Sequence, residues 1–280
     1  FGEHVPDKVN SAWQQNQLKN DGIEKHKSYW LQQFDGEIPV LDLRTYQIRP
    51  TIKTYTGKSV NILYKSSLLK DFSNLCQSQG STLFMGLLAT LKLLLYRYTN
   101  QKDIVIGSPI AGREHADLQN QIGFYVNTLA LRTQFDGEDS FKELLANVKG
   151  ITLGAYEHQI YPYDELVQNL PIKRDISRNP LFDVMLTIQK DSLNEKLQQF
   201  GTIEIKEYQS AEEVLSKFDM DFSFVETKEG LGLTLTYNAN IYSDEFTQKI
   251  VNHLGQLLEV VMAQPNTPIN QLDYLSARER

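Results

Sequence analysis

The stretch FDMDFSFVETKEGLGLTLTY, residues 218–237, decides the kind of fold that this chain adopts. Apolar residues occupy every second position in both of its halves: Phe218, Met220, Phe222 and Phe224, then Leu231, Leu233, Leu235 and Tyr237. Successive side chains of a strand point to opposite faces, so this alternation predicts two strands with one apolar and one wet face. The residues 227–230 between them favour a turn, and the stretch therefore predicts a hairpin.

Helical patterns and further strand candidates surround this hairpin. Strand candidates cover 59–64, 103–106, 124–131, 181–188 and 203–208, and the helical stripes, with a lead-in helix from about Ile23, cover 67–79, 83–98, 141–156 and 246–261. We expect a serine cap at the first of these stripes, Ser81 or Thr82 at the second, Ser140 with Glu143 as a capping box at the third, and Ser243 at the last. Strands interleaved with helices predict an α/β fold of the α+β sandwich kind, a mixed sheet covered by helices.

Composition and charge limit the classes of function. The chain has 280 residues, 41% hydrophobic, and 35 acidic against 28 basic side chains give a net charge of -7, which disfavours nucleic acid as a partner. The single cysteine, Cys76, excludes an internal disulfide or a cysteine-built zinc site and is expected to be a buried thiol in a cytoplasmic protein. The most apolar stretch, 83–98, contains Lys92 and Arg97 and is shorter than the roughly 20 residues of a bilayer span. We therefore expect a buried helix and no membrane partner. The first residue is Phe1, from which we expect a piece of a longer protein without a signal peptide.

Three segments hold more polar residues than a plain core needs: 107–113, 122–132 and 158–181. The glycines of the first let the backbone approach something closely, either within a tight turn or around a ligand. Asn127 shares a strand face with apolar residues, and a buried unpaired amide costs about 1–3 kcal/mol, so it must either bond to neighbouring backbone or line a cavity. Arg174, Asp175, Arg178 and Asn179 form a charged turn, which we expect an arginine–carboxylate pair to brace.

Common catalytic signatures are missing from the sequence. Of the five histidines no two are adjacent or at helical i, i+4 spacing, so we expect no metal site. The chain has no G-x-S-x-G elbow, no Walker loop and no G-x-G-x-x-G. We interpret His158 as a helix-end residue and the run Glu114, His115 and Asp117 as solvated surface.

The same three segments resemble the motifs of condensation domains of nonribosomal peptide synthetases. IGFYVNT at 122–128 with Arg132 is similar to I-G-x-F-V-N-T-x-x-x-R, and RDISRNPL at 174–181 matches R-D-x-S-R-N-P-L without a departure. HQIYPYD at 158–164 resembles H-Q-D-x-P-F-E less closely, since Ile160, Tyr163 and Asp164 replace Asp, Phe and Glu. The resemblance runs from about Tyr29, and the tail from Leu272 looks like a linker toward an adenylation domain.

This resemblance implies a fold like chloramphenicol acetyltransferase, with two lobes and a tunnel between them. Residues 1–35 would be a lead-in segment and helix from the preceding lobe, 36–267 the C-terminal lobe, and 268–280 the linker. The family joins carrier-bound acyl or peptidyl and aminoacyl thioesters through an amide bond. The partners implied are the N-terminal lobe, peptidyl carrier proteins that deliver phosphopantetheine, and an adjacent adenylation domain, with no cofactor bound directly.

The resemblance also assigns roles to residues. The family's H-H-x-x-x-D-G motif does not occur here, so we expect no catalytic residue in this chain and an inactive isolated lobe. Arg113 resembles the arginine that pairs with the aspartate of that motif, and Ser108, Tyr125 and Asn127 are expected to line the tunnel or bind substrate. A lobe of an epimerisation or heterocyclisation domain and a non-catalytic domain that docks carrier proteins are the alternatives.

Overall fold

The computed structural model describes residues 21–113, 123, 125–190, 199–200, 203–204, 214–276 and 279–280. Phe124, Ile122 and the run Glu114, His115 and Asp117 lie outside this part of the chain. The helices in it are α1 Asp21–Gln33, α2 Ser66–Ser78, α3 Leu83–Thr99, α4 Phe141–Glu157, α5 Tyr163–Asn169 and α6 Asp244–Ala263. The strands are β1 Gly57–Lys65, β2 Asp103–Ile110, β3 Asn127–Gln134, β4 Val184–Lys190, β5 Gln199–Phe200, β6 Ile203–Glu204, β7 Met220–Glu226 and β8 Gly230–Asn238.

A six-stranded sheet with the order β1-β8-β7-β4-β2-β3 forms the centre of the fold. β4 runs parallel to both of its neighbours, and the other pairs are antiparallel, so the sheet is mixed as predicted. In the β7–β8 hairpin Phe222 lies opposite Leu235 and Phe224 opposite Leu233, and all four are buried. The alternation in the sequence thus placed the apolar face correctly.

Helices α2, α3, α4 and α6 pack with the sheet around one hydrophobic core. α3 is buried from Met85 to Tyr96, as its apolar sides predicted, and Cys76 on α2 is fully buried beside it. Among the described residues no single helix is long and apolar enough to cross a membrane; α2 and α3 reach the required length and apolar character only as a pair bent by 99°.

The capping predictions hold at three helices and fail at one. Thr82 and Ser140 form capping boxes, and the hydroxyl of Ser243 accepts a hydrogen bond from Phe246 N. The expected serine cap of α2 is wrong, because β1 runs directly into the helix and Lys65 occupies the cap position without a side-chain bond.

Several strand ends also differ from the sequence prediction, and at the end of β2 the shift is four residues. β2 does not stop at Ile106 but continues to Ile110, since residues 107–110 pair with 127–130 of β3. Its Pro109 is tolerated because β4 pairs with β2 only at Gly107, so no ladder bond to β4 is lost. β3 begins at Asn127, opposite Ile110, and Tyr125 precedes the strand.

Both end segments of the described chain pack on the lobe. Trp30 of α1 and Phe34 directly after it are buried, and so are Ile269 and Leu272 of the tail. Arg97 of α3 donates a hydrogen bond of 3.0 Å to the carbonyl of Ile269. The assignment of the tail after residue 267 as a linker remains a prediction, while its apolar residues Ile269 and Leu272 pack into the core.

Candidate functional site

The three polar segments come together where β2 and β3 meet the loops that flank α5. Gly107 of β2 faces the ring of Phe182 so closely that a Cβ on Gly107 would lie 2.1 Å from it. Asn127 of β3 reaches the turn between α4 and α5. The hydroxyl of Tyr163 donates a hydrogen bond to the carbonyl of Pro180. The close backbone approach expected of the glycines is therefore made to the protein's own interior.

Arg113 follows the end of β2, where Tyr125 and Gly123 are among the neighbours that hold it. Its guanidinium carbon lies 4.5 Å from the centre of the Tyr125 ring, and its Nη2 donates a hydrogen bond of 3.3 Å to the carbonyl of Gly123. Gly112 has a φ of 62°, and a Cβ there would lie 1.9 Å from the Tyr125 carbonyl oxygen, so the approach requires glycine. The result is a permanent positive charge with a fixed position on an aromatic face.

Asn127 uses both ends of its side-chain amide to bind backbone. Its Nδ2 donates to the carbonyls of Gln159 at 2.8 Å and Tyr161 at 2.9 Å. Its Oδ1 accepts from the N–H of Thr128 at 2.8 Å and of Tyr163 at 3.1 Å. Of the two possibilities left by the sequence, bonding to neighbouring backbone is the one observed.

Ser108 and Tyr125 were the other residues expected to line a tunnel. The structure buries both, with 5% and 6% of their surface exposed. Tyr125 packs against Arg113, and Ser108 lies within β2 opposite Leu129. Contact of Ser108, Tyr125 or Asn127 with a substrate remains a prediction.

The charged turn at 174–181 is braced by three of the four residues expected to do so. Arg178 pairs with Asp183 and donates a hydrogen bond of 3.3 Å to the carbonyl of Leu41. The carboxylate of Asp175 accepts from Ser177 N at 2.8 Å and Oγ at 2.7 Å, and these bonds lower the pKa of Asp175.

Asn179 accepts a hydrogen bond from Lys53 Nζ and donates one of 3.2 Å to the carbonyl of Lys217. Arg174 is exposed and makes no hydrogen bond or ion pair within the described part of the chain, so the bracing expected of it is not seen. The expected arginine–carboxylate pair exists, but its carboxylate is Asp183, which lies outside the turn.

A second arginine–carboxylate pair at this turn was missed by the sequence reasoning. Arg49 forms a two-pronged bond with Asp219 and donates to the carbonyl of Ser177 at 3.3 Å. Burial and the charge of Asp219 raise the pKa of Asp183 to about 6. The alternation of the hairpin predicts a solvent-facing position for Asp219, yet it is only 2% exposed. The reason is that Asp219 precedes β7 and faces the loop that carries Arg49.

Arg132, the last residue of the second motif, joins the sheet to the end of α1. Its guanidinium binds both carboxylate oxygens of Asp103, with Nη2 2.7 Å from Oδ2. It also donates to three backbone carbonyls, those of Gln33, Asp35 and Glu37. A buried arginine with all these partners fixes the lead-in segment against β2 and β3.

Two histidines that are 132 residues apart meet between α1 and α4. The Nδ1 atoms of His26 and His158 lie 3.0 Å apart, and the Tyr29 ring stacks on His158 at 4.1 Å. His158 occupies the C-cap of α4, as expected of a helix-end residue. Burial and the charge of His26 lower the pKa of His158. No group of three or more potential metal ligands is found among the described residues.

A cleft opens beside the start of β2. It has a volume of about 710 Å³ and is lined by 36–41, 103–105 and 171–183 together with part of α5. Because it opens beside the start of β2 and Arg113 follows the end of that strand, the cleft and the fixed arginine are separate features.

A comparison with known families tests the resemblance described above. The model of the condensation domain matches residues 8–280. The chain belongs to the condensation domain family. The predicted resemblance to this family is therefore confirmed.

The condensation domain is similar in sequence to parts of large synthetases. It is 40% identical over 270 residues to gramicidin S synthase 2 of Brevibacillus brevis and to tyrocidine synthase 3 of Brevibacillus parabrevis, and 36% identical over 285 residues to bacitracin synthase 1 of Bacillus licheniformis. These matches cover 96–99% of this chain but only 4–6% of the relatives.

Solved structures of the family share the fold. A four-domain nonribosomal peptide synthetase, holo-AB3403, superimposes with a TM-score of 0.85 at 21% identity over 94% of this chain and 21% of the solved one. The X-domain from teicoplanin biosynthesis in complex with OxyB gives 0.86 at 21% identity over 95% of this chain and 60% of the solved one. The condensation-type α/β architecture, like that of chloramphenicol acetyltransferase, is thus confirmed.

Proposed function

We propose that this chain is the C-terminal lobe of a nonribosomal peptide synthetase condensation domain. In the complete domain the amine of a carrier-bound aminoacyl thioester attacks the carbonyl of a carrier-bound acyl or peptidyl thioester, an amide forms and the donor thiol leaves. Family membership and the synthetase relatives support this reaction class. The observation that carries the proposal is the geometry of Arg113, a cation fixed by Tyr125 and Gly123 at the end of β2.

The two lobes divide the work of this reaction. The H-H-x-x-x-D-G segment of the N-terminal lobe supplies the histidine that orients or deprotonates the amine. Arg113 pairs with the aspartate of that segment by charge-assisted hydrogen bonds and thereby positions it. Ser108, Tyr125 and Asn127 line the tunnel or bind substrate on this side, and Asn127 is held in place by its hydrogen bonds to the backbone.

The proposal includes the surroundings of the lobe. Residues 1–35 lead in from the preceding lobe, 36–267 form this lobe, and 268–280 continue toward an adenylation domain. Peptidyl carrier proteins bring their substrates on phosphopantetheine arms, and the reaction takes place in the cytoplasm.

An assay of amide formation tests the proposal. Two carrier proteins loaded with an acyl and an aminoacyl thioester are mixed with this chain alone or with the complete two-lobed domain, and the product is measured by mass spectrometry. Amide is expected only with the complete domain, because one lobe cannot hold both reacting groups and the base.

Other outcomes of this assay would refute the proposal. Amide made by the chain alone would contradict the division of labour. Carrier binding without acyl transfer by the complete domain would indicate a docking domain, and loss of optical purity of the carrier-bound substrate would indicate an epimerisation domain.

A further inference from the structure

The loop at 44–55 exposes apolar side chains although its backbone is firmly held. Ile48 is 95% exposed, Tyr46 74%, Ile52 65% and Tyr55 53%. Ile176 and Leu215, at 69% and 66%, continue the same surface, because Lys53 N donates to the carbonyl of Ile176 and Ser216 N to that of Tyr55, each at 3.0 Å. We call these six residues the apolar surface.

Inward-facing cations anchor this loop to the lobe. Arg49 binds buried Asp219, and Lys53 binds the side chain of Asn179 and the carbonyl of Lys217. Tyr46 N donates a hydrogen bond of 2.8 Å to the carbonyl of Ile241. The usual arrangement is thus inverted, with charges inside and apolar groups outside. The exposure is fixed by the fold, and a fixed apolar patch with a polar rim marks a site of interaction.

The rim of the apolar surface is strongly basic in a chain whose net charge is -7. Residues 44–55, 173–178 and 214–218 hold seven basic side chains and a single acidic one, Asp175. The exposed ones are Arg44, Lys173, Arg174 and Lys217, and none of them forms an ion pair within the described part of the chain. Separate segments of the sequence build this basic patch, which is why no single stretch shows it.

We propose that the apolar surface docks an acidic protein face that presents apolar side chains. Opposite charges on the rim guide such a partner and set its orientation, while Ile48 and Tyr46 supply the central contacts. The partner lies in the same synthetase, a step that rests on the proposed function. A covalently linked domain reaches millimolar effective concentration, so even a small surface suffices for docking. This argument favours a protein over an anionic membrane as the occupant.

Photocrosslinking in the full-length synthetase that contains this chain tests the docking. The photoreactive residue p-benzoylphenylalanine replaces Ile48, and in a matched control it replaces Leu153, which is 51% exposed on α4. The probe at position 48 is expected to crosslink to a segment of net negative charge outside residues 1–280. The probe at position 153 is expected to give no crosslink to that segment. Arg44→Glu combined with Lys173→Glu is expected to lower the yield at position 48 by about tenfold or more, since steering charges change encounter rates by that order. Lys70→Glu, at an exposed lysine of α2, is the charge control and leaves the yield unchanged.

Several results would overturn the docking proposal. Equal yields from positions 48 and 153 would do so, as would a yield that the charge reversals leave unchanged. So would crosslinks to a second copy of this chain or to a basic segment. Disappearance of the protein crosslink when vesicles that contain phosphatidylserine are added would indicate a membrane as the occupant. Unchanged urea midpoints of the variants establish that they fold. Amide formation by the wild-type synthetase is measured in parallel: amide without the expected crosslinks refutes the docking alone, and crosslinks without amide refute the proposed function alone.

Discussion

The Oδ1 atom of Asn127 accepts a hydrogen bond of 3.1 Å from the backbone N–H of Tyr163. On the other side of the same amide, Nδ2 donates to the carbonyls of Gln159 and Tyr161. A single side chain thereby ties the first residue of β3 to the turn before α5, and so joins the polar segments 122–132 and 158–181. The rigidity of this part of the lobe depends on a nitrogen that an aspartate lacks.

Asn127→Asp is expected to destabilise the protein by about 1–3 kcal/mol. The carboxylate places an oxygen where Nδ2 stood, so the carbonyls of Gln159 and Tyr161 lose their donor. The shape of the side chain is kept, so the effect isolates the hydrogen bonds. Urea unfolding measures the loss, and amide exchange at 159–163 is expected to speed up. A variant as stable as the wild type, with unchanged exchange, would show that these bonds contribute nothing.

The sequence predicted the mixed sheet and most helices, because apolar periodicity and caps are local signals. Alternation alone placed Phe222 and Leu235 on the buried face of the hairpin. Contacts between distant segments were not predictable from periodicity. Asp219, in a wet position of the pattern, is buried by Arg49 from a loop 170 residues earlier.

Arg132→Ala is expected to lower the free energy of unfolding by about 3–5 kcal/mol, since removing one partner leaves Asp103 without its buried counter-ion. Three backbone carbonyls at the end of α1 also lose their donor. Arg174→Ala is the matched control, because Arg174 is exposed, and a change within about 0.5 kcal/mol is expected there. Equal effects of the two substitutions in urea unfolding would contradict the role of Arg132.

Acid is expected to weaken the contact between α1 and α4. The pKa of His158 is lowered from its ordinary value of 6.5, so the folded protein binds fewer protons there than the unfolded chain. The contribution of His158 to the free energy of unfolding is therefore fully present above pH 6.5 and is lost as the pH falls below this value. In His158→Gln this part of the pH dependence disappears, as unfolding in urea between pH 5 and 8 measures. An unchanged profile in the variant would refute the assignment.

Lys92 predicts a second pH dependence, on the alkaline side. Complete burial lowers the pKa of Lys92 from 10.5 to about 7, while its Nζ donates to the carbonyls of Ile104 and Leu131. Since the unfolded chain binds more protons between these values, the free energy of unfolding rises from pH 7 to 9.

Lys92→Met is expected to remove this rise. At pH 9 the variant is less stable than the wild type by about 1–3 kcal/mol, because the two carbonyls lose their donor. At pH 6 the difference shrinks, since the wild type then carries a buried charge. A constant difference at both pH values would contradict the lowered pKa of Lys92.

The tail shows a second limit of sequence reasoning. Residues 268–280 are polar on average, which indicates a linker, yet Ile269 and Leu272 are fully buried. Two apolar residues three positions apart are too few to reveal periodicity. Only the structure, with Arg97 bonded to the carbonyl of Ile269, places the tail on the core.

The role of Arg113 as an ionic brace for a base on the other lobe is measured most directly by single-turnover amide formation in the complete domain. Arg113→Ala is compared with Lys70→Ala, a change at an exposed lysine of α2, under identical carrier loading. The account predicts that the rate falls by about 10²-fold in the first variant, as for a misplaced catalytic group, and is unchanged in the second. A wild-type rate with Arg113→Ala would contradict it.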